Sequence, residues 1–268
     1  MIENNMALQE LQDFNHLIGL ANPSGEVYQA RAHKPQQLLD YYTSLKSLIK
    51  KLSTKRTLYL YDCGCGRSYL SFYLNFLLQK DGIKNVEFIC IDSNEKLIEE
   101  CQQTAKRLAF DNMTFKPSDI IDFDFPYPPD IVYSLHACDQ ATDQMIFKAM
   151  EADARFIMSV SCCQHSARNQ MKRHPLAEIT RHKPYKERLV DMVADSMRAL
   201  LLEASGYKVG IFEFSSTTYT DKNIMLKCER VQKTNEKAGQ IMGEYRKLSE
   251  LFNVDPKLRV YLEDGGIV

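Results

Sequence analysis

The chain of 268 residues has no apolar run near the roughly 18 residues that a membrane-crossing helix needs, so no membrane span is expected. It also lacks a basic-then-apolar leader between Met1 and Glu10, and a cytoplasmic rather than secreted protein is expected. No Cys-x-x-Cys pair occurs among the eight cysteines, and Cys63 and Cys65 sit too close for a relaxed bridge. Free thiols in a reducing compartment follow as the expectation. No internal repeat is visible. The formal net charge of -1 carries no information about partners for the chain as a whole. One further absence concerns a motif: a dinucleotide fingerprint requires a third glycine three positions after Gly66, and Tyr69 stands there, which disfavours NAD.

What is present centres on Leu58-Tyr59-Leu60-Tyr61-Asp62-Cys63-Gly64-Cys65-Gly66-Arg67-Ser68. Five residues of strand character run into a turn with two glycines, and a helical pattern begins at once. Gly64 and Gly66 can take backbone angles closed to other residues and let a ligand approach the main chain. With Asp62 ahead of them, the turn reads Asp-x-Gly-x-Gly, similar to the first motif of class I S-adenosyl-L-methionine (SAM) methyltransferases. Many strand-to-helix turns contain glycine for local reasons alone, so the remaining segments decide the reading.

Upstream, residues 1–27 read as a weakly amphipathic helix (Met6, Leu8, Leu11, Phe14, Leu17, Ile18), and Pro35 opens a second helix. Arg31, Lys34, Lys46, Lys50, Lys51, Lys55 and Arg56 stand against Asp40 alone in this region; a solvated helix face accounts for them more economically than a nucleic-acid contact. From Leu58 onward, strand patterns at 58–62, 86–91, 112–116, 130–135 and 154–160 alternate with helical patterns at 68–80, 94–109 and 140–151. That alternation implies right-handed crossovers and a parallel sheet covered on both faces. Residues 161–187 interrupt the rhythm, and a helix over 187–204 ends before Gly206. Strands at 207–214 and 223–230 close the sheet as an antiparallel pair. The expected fold class is α/β: a Rossmann-like, seven-strand class I methyltransferase sheet with helices on both faces, preceded by N-terminal helices. The corresponding division is a helical lead-in (1–56), a domain (57–230) with a substrate-side insertion (161–187), and a C-terminal helix and tail (231–268).

Candidate site residues fall at strand ends. Asp92 closes the second strand and is placed to accept hydrogen bonds from two ribose hydroxyls; capping of the next helix is the structural alternative, although Ser93 or Asn94 could fill that role. Asp119 follows the third strand, where a carboxylate would meet an adenine amino group, with Asp122 and Asp124 near enough to compete. The fourth strand ends in His136-Ala137-Cys138-Asp139 and the fifth in Ser161-Cys162-Cys163-Gln164-His165. His136 is either a chemical group at the ligand crevice or a structural histidine orienting its loop. The set His136, Cys138, Cys162, Cys163 and His165 contains donors suited to zinc. Adjacent cysteines diverge along an extended chain, however, and the expectation is that His136, Cys138, Cys163 and His165 line an acceptor pocket without holding a metal. Tyr127-Pro128-Pro129-Asp130 precedes its strand rather than ending it and reads as a turn.

Taken together, these blocks resemble a group of bacterial class I SAM-dependent methyltransferases that share one widespread methyltransferase domain. The resemblance runs through Tyr61–Tyr73, Ser134–Asp143, Ser159–His165, Lys186–Tyr207 and Thr220–Leu226, with Arg31–Gln37 resembling a basic entry before the first strand. It implies proline where Ser161 stands, and the serine is expected to loosen that turn. It further implies binding of SAM and S-adenosylhomocysteine at Asp62, Gly64, Gly66, Asp92 and Asp119. RNA is the leading acceptor class, through Arg31, Lys34, Arg168, Lys172, Arg173, Arg181 and Lys183; a small molecule or protein acceptor, or a SAM-binding scaffold without turnover, remains the alternative.

Overall fold

The computed structural model describes residues 2–231 and 236–267, with side chains from residue 9 onward. Two compact units make up the chain. The first comprises Met1–Ser118 and Phe214–Asn223; the second comprises Asp119–Glu213 and Ile224–Val268.

In the first unit, α1 (Ile2–Leu17) and α2 (Lys34–Ile49) precede β1 (Leu58–Cys63), α3 (Tyr69–Lys80), β2 (Val86–Asp92), α4 (Glu95–Arg107) and β3 (Met113–Pro117). Pro35 sits in the first turn of α2, where its missing N–H costs nothing and its fixed φ suits a helix. Leu38, Leu45, Leu48 and Ile49 of α2 are buried at helical spacing. Phe14 of α1 stacks on Phe76 of α3 at 4.2 Å between centroids and meets Tyr73 edge-on at 5.4 Å. The Tyr73 hydroxyl donates to the buried Asn15 side chain. The helical lead-in is therefore packed into the core of this unit. Met6 and Leu8, expected on the apolar face of α1, have side chains outside the described residues.

In the second unit, β4 (Ile131–Leu135), α5 (Gln140–Glu151) and β5 (Phe156–Val160) are followed by two short helices, α6 (His165–Gln170) and α7 (Ala177–Thr180). Next come α8 (Lys183–Ala204), β6 (Tyr207–Glu213), β7 (Ile224–Arg230), α9 (Ala238–Phe252) and α10 (Lys257–Asp264). The segment expected only to tail off after one helix carries a second one, α10. Pro256 caps its start, Leu258 and Leu262 are fully buried four residues apart, and Arg259 bonds Asp255 one turn back.

The strands form one seven-stranded sheet in the order β3-β2-β1-β4-β5-β7-β6, with helices on both sides. Pairing is parallel for β1–β2, β2–β3 and β4–β5 and antiparallel for β5–β7 and β6–β7. This is the expected α/β class, with strand bounds within two residues of those read from the sequence. Central strands are buried along nearly their whole length, as β5 is from Phe156 to Val160, because helices cover both faces. The edge strands β3 and β6 alternate instead, leaving Ile211 half exposed.

Candidate active site

In the first unit, the turn after β1 is pinned to β2 by its main chain. The Gly64 and Cys65 amides both donate to the Ile91 carbonyl, at 2.8 and 2.9 Å. Gly64 and Gly66 have φ of 78° and 54°, angles at which a side chain is strained, and a Cβ on Gly66 would meet nothing within 4 Å. The backbone is thus bare and open at the carboxyl end of the strand, where ligands bind in open α/β sheets.

Asp92 reaches this turn from across 26 residues of sequence. Its Oδ2 accepts from the Gly66 amide at 2.8 Å and its Oδ1 from the Asn94 amide at 3.0 Å. The cap of α4 is Asn94, whose side chain accepts from the Leu97 amide at 3.1 Å. Asp92 is therefore not consumed by helix capping. Each of its oxygens retains a lone pair for a hydroxyl donor.

Asp62 does something different from Asp92. It is buried and accepts a hydrogen bond from the Ser71 hydroxyl of α3, locking strand to helix beneath the turn. Burial pushes its carboxyl up to about 7; the Ser71 hydroxyl opposes that, and the Asp92 charge adds to it. Beside the turn lies a cavity of about 430 Å³ whose lining includes His16, Arg31, Arg67, Tyr69 and Arg107. Arg31 is committed within it: its guanidinium donates to the Gly19 carbonyl and lies over the Tyr28 and Tyr69 rings at 5.7 and 5.6 Å.

In the second unit, the loops after β4 and β5 are tied together. His136 is half-buried with φ 67°, and Asp139 has φ 52°. Non-glycine residues held at such angles cost energy and concentrate at functional sites. The His136 amide donates to the Val160 carbonyl at 2.9 Å, the Asp139 amide to the Cys163 carbonyl at 3.3 Å, and the Thr142 hydroxyl to the Ala137 carbonyl at 2.7 Å. Asp139 accepts from the amide and hydroxyl of Ser166, which orders the start of α6 and with it the exposed His165.

The anchor of both loops is Arg198 of α8, only 2% exposed. It donates from Nε to Asp143 at 2.7 Å, and from Nη1 to Gln164 at 2.9 Å and Asp195 at 3.2 Å. Nη2 reaches the Asp139 carbonyl at 3.5 Å. Burial opposes the guanidinium charge, but Asp143 and Asp195 outweigh it and hold its pKa above the ordinary value. Burial likewise raises the Asp195 carboxyl, against the pull of Arg198. No local sequence pattern reveals this network, whose members lie up to 59 positions apart. The trace it leaves is a pair of charged residues, Asp195 and Arg198, set among the apolar stripe Val190, Val193, Ala194, Met197, Leu201.

The structure also brings the cysteines together. Cys138 Sγ lies 2.9 Å from Cys162 Sγ, which lies 3.8 Å from Cys163 Sγ. Burial first, then the neighbouring Cys138, pushes the Cys162 and Cys163 thiols up. Of the other predicted residues, Asp119 is exposed two positions beyond β3. Arg168 is paired with Glu187, and Lys34 donates to Gln37 at 3.2 Å. Lys172, Arg173, Arg181 and Lys183 are exposed.

The fold and the glycine turn define a class I, Rossmann-like methyltransferase. Residues 33–170 match the family model described as "Methyltransferase domain", and the chain belongs to that family; it is a SAM-dependent methyltransferase. The bare turn, with its open space at Gly66 and the Asp92 carboxylate at its rim, fits a nucleoside cofactor. No protein of curated function matches the sequence. Similar solved structures include an rRNA methylase from Streptococcus thermophilus, at 12% identity over 71% of this chain and 95% of that one, with a TM-score of 0.45. Another is a SAM-dependent methyltransferase from Aquifex aeolicus, at 16% identity, 81% and 98% coverage and a TM-score of 0.44. The magnesium protoporphyrin IX methyltransferase of Synechocystis PCC 6803, solved with bound SAM, is 18% identical over 84% of this chain and 97% of that one, with a TM-score of 0.45. The acceptors that these names carry differ from one another and belong to those proteins.

Proposed function

We propose that the protein transfers the methyl group of SAM to RNA, with Asp62, Gly64, Gly66, Asp92 and Asp119 serving the cofactor and His136, Cys138, Cys163 and His165 lining the acceptor side. The bound cofactor supplies an electrophilic methyl group, so the protein's own work is positioning, together with removal of a proton where the acceptor carries one. In this reading Asp92 accepts from the ribose hydroxyls through its remaining lone pairs, and the buried Asp62 keeps the turn in place through Ser71. Asp119 would meet the adenine amino group. A neutral imidazole at the end of β4 or the start of α6 can take the proton of an acceptor hydroxyl or amine onto a ring nitrogen.

The observation that carries the RNA assignment is the cationic segment that leaves β5. Lys172, Arg173, Arg181, Lys183 and Arg188 are all exposed there, while Glu187 is taken up by Arg168 and Glu178 alone remains as an exposed acid. Such a segment next to catalytic strand ends suits a phosphate backbone. Filter binding with mixed RNA across a salt series, followed by transfer of labelled methyl from SAM, tests the assignment. We expect binding that weakens steeply with salt, and label in the RNA fraction. Binding absent at low salt, or indifferent to salt, removes the RNA reading and leaves a small molecule as the acceptor.

A further inference from the structure

Cys138, Cys162 and Cys163 place three sulfur atoms within 4.8 Å of one another at the ends of two adjacent parallel strands. The expectation of a metal-free pocket rests on adjacent cysteines diverging along a strand; β5 ends at Val160, however, and in the irregular chain beyond it Cys162 and Cys163 turn their sulfurs to 3.8 Å. Tetrahedral zinc with Zn–S bonds of about 2.3 Å has sulfur–sulfur edges of about 3.8 Å. The Cys162–Cys163 pair already has that spacing. The Cys138–Cys162 pair, at 2.9 Å, has to open by about 0.9 Å.

A disulfide between Cys138 and Cys162 would need the sulfurs to close to about 2.05 Å and would give the third cysteine no role. The backbone holding the sulfurs is preset. The two loops are joined by the His136–Val160 and Asp139–Cys163 main-chain bonds and locked from behind by Arg198 through Asp143, Gln164 and Asp195. Cys138 is exposed and the other two are half-buried, so a cation has an entry path and one side of the cluster stays open.

We propose that Cys138, Cys162 and Cys163 form a binding site for a thiophilic divalent cation of the zinc class, held by three sulfurs with a fourth position left for an exchangeable ligand. All-sulfur donors select zinc-class ions and exclude the hard cations magnesium and calcium. Binding exchanges up to three S–H protons, released to solvent, for three metal–sulfur bonds, and needs no oxidant or reductant. The inference is independent of which acceptor the enzyme methylates, because its readout is metal uptake.

The experiment uses the full-length protein, reduced, freed of metal by chelation and returned to chelator-free buffer. Zinc titration monitored by calorimetry and proton release should show tight uptake of about one equivalent, with magnesium inert. Cobalt in place of zinc should give a thiolate-to-cobalt charge-transfer band. Cys162→Ser and Cys138→Ser should each weaken uptake and remove that band, while Cys65→Ser, in the cofactor turn, should leave both intact. Circular dichroism checks that the variants are folded; should one unfold, the cobalt band of the wild-type protein and the other variant still decide. Failure of the reduced protein to take up zinc, zinc binding undiminished in both cluster variants, or recovery of a Cys138–Cys162 disulfide with no metal uptake each overturns the proposal.

Discussion

At the scale of single residues, the two carboxylates of the cofactor turn, Asp62 and Asp92, separate by environment, and their substitutions should separate by readout. Asp92 stands at the rim with lone pairs to spare, so Asp92→Ala should weaken SAM and S-adenosylhomocysteine by about 1–3 kcal/mol in calorimetry, because the ribose hydroxyls lose their acceptors. His136→Ala should instead leave cofactor affinity nearly intact while turnover on the acceptor falls by roughly 10²-fold. Equal affinity in the Asp92 variant, or lost cofactor binding in the His136 variant, would reverse those roles. Asp62 reports through stability. With its folded carboxyl raised to about 7, it keeps a proton over the range in which the unfolded chain, ordinary for an aspartate, has lost it. Its contribution is therefore complete below about pH 4 and is lost as pH climbs towards 7, by at most about 4 kcal/mol. Asp62→Asn keeps an acceptor for Ser71 and removes the titration. Thermal melts of the ligand-free variant should vary less between pH 4 and 7 than those of the wild type, and should lie higher at pH 8. Parallel curves would mean that Asp62 is solvated.

At the scale of elements, α8 matters through its inward charges, Arg198 above all with Asp195 beside it. Its apolar stripe was legible from spacing, since Val190, Val193, Ala194, Met197 and Leu201 recur at helical intervals. Arg198 in the same stripe was readable only as an anomaly, because its partner Asp143 lies 55 residues away and no local rule links the two. Arg198→Met would leave Asp143 and Asp195 buried without a counter-charge, and should cost about 3–5 kcal/mol in urea unfolding. Adding Asp143→Asn and Asp195→Asn should restore part of that loss. A cost below about 1 kcal/mol would show that water already screens the cluster. The α10 helix teaches a similar lesson: Pro256, Leu258 and Leu262 were present as signals, but two buried leucines in eight residues do not set a period by themselves.

At the scale of the whole molecule, the near-zero net charge conceals a local excess of cations after β5. If Lys172, Arg173 and Lys183 each neutralise one phosphate, the triple alanine variant should reduce the salt slope of RNA binding by about 2, at roughly 0.7 per contact on single strands. An unchanged slope would move the contact elsewhere. Arg168 lies in the same segment but is already held by Glu187, so Arg168→Ala should leave the slope nearly unaltered.

The sequence by itself determined the sheet, because strand and helix periods are local, alternate from Leu58 to Val160 and resume after the 161–187 interruption with the closing strand pair. It also determined the glycine turn, whose positive φ angles at Gly64 and Gly66 only glycine accepts without strain. Tertiary structure alone decided what each candidate side chain faces. It buried Asp62, left Asp92 at the rim against the Gly66 amide, and paired Arg168 while leaving Lys172 exposed. It also gathered three cysteines from two loops that the buried Arg198 ties through Gln164 and the Asp139 carbonyl. The physical reason is range: periodicity and turn chemistry act over a few residues, whereas the pairings Arg168–Glu187, Cys138–Cys162 and Arg198–Asp143 join positions 19, 24 and 55 apart.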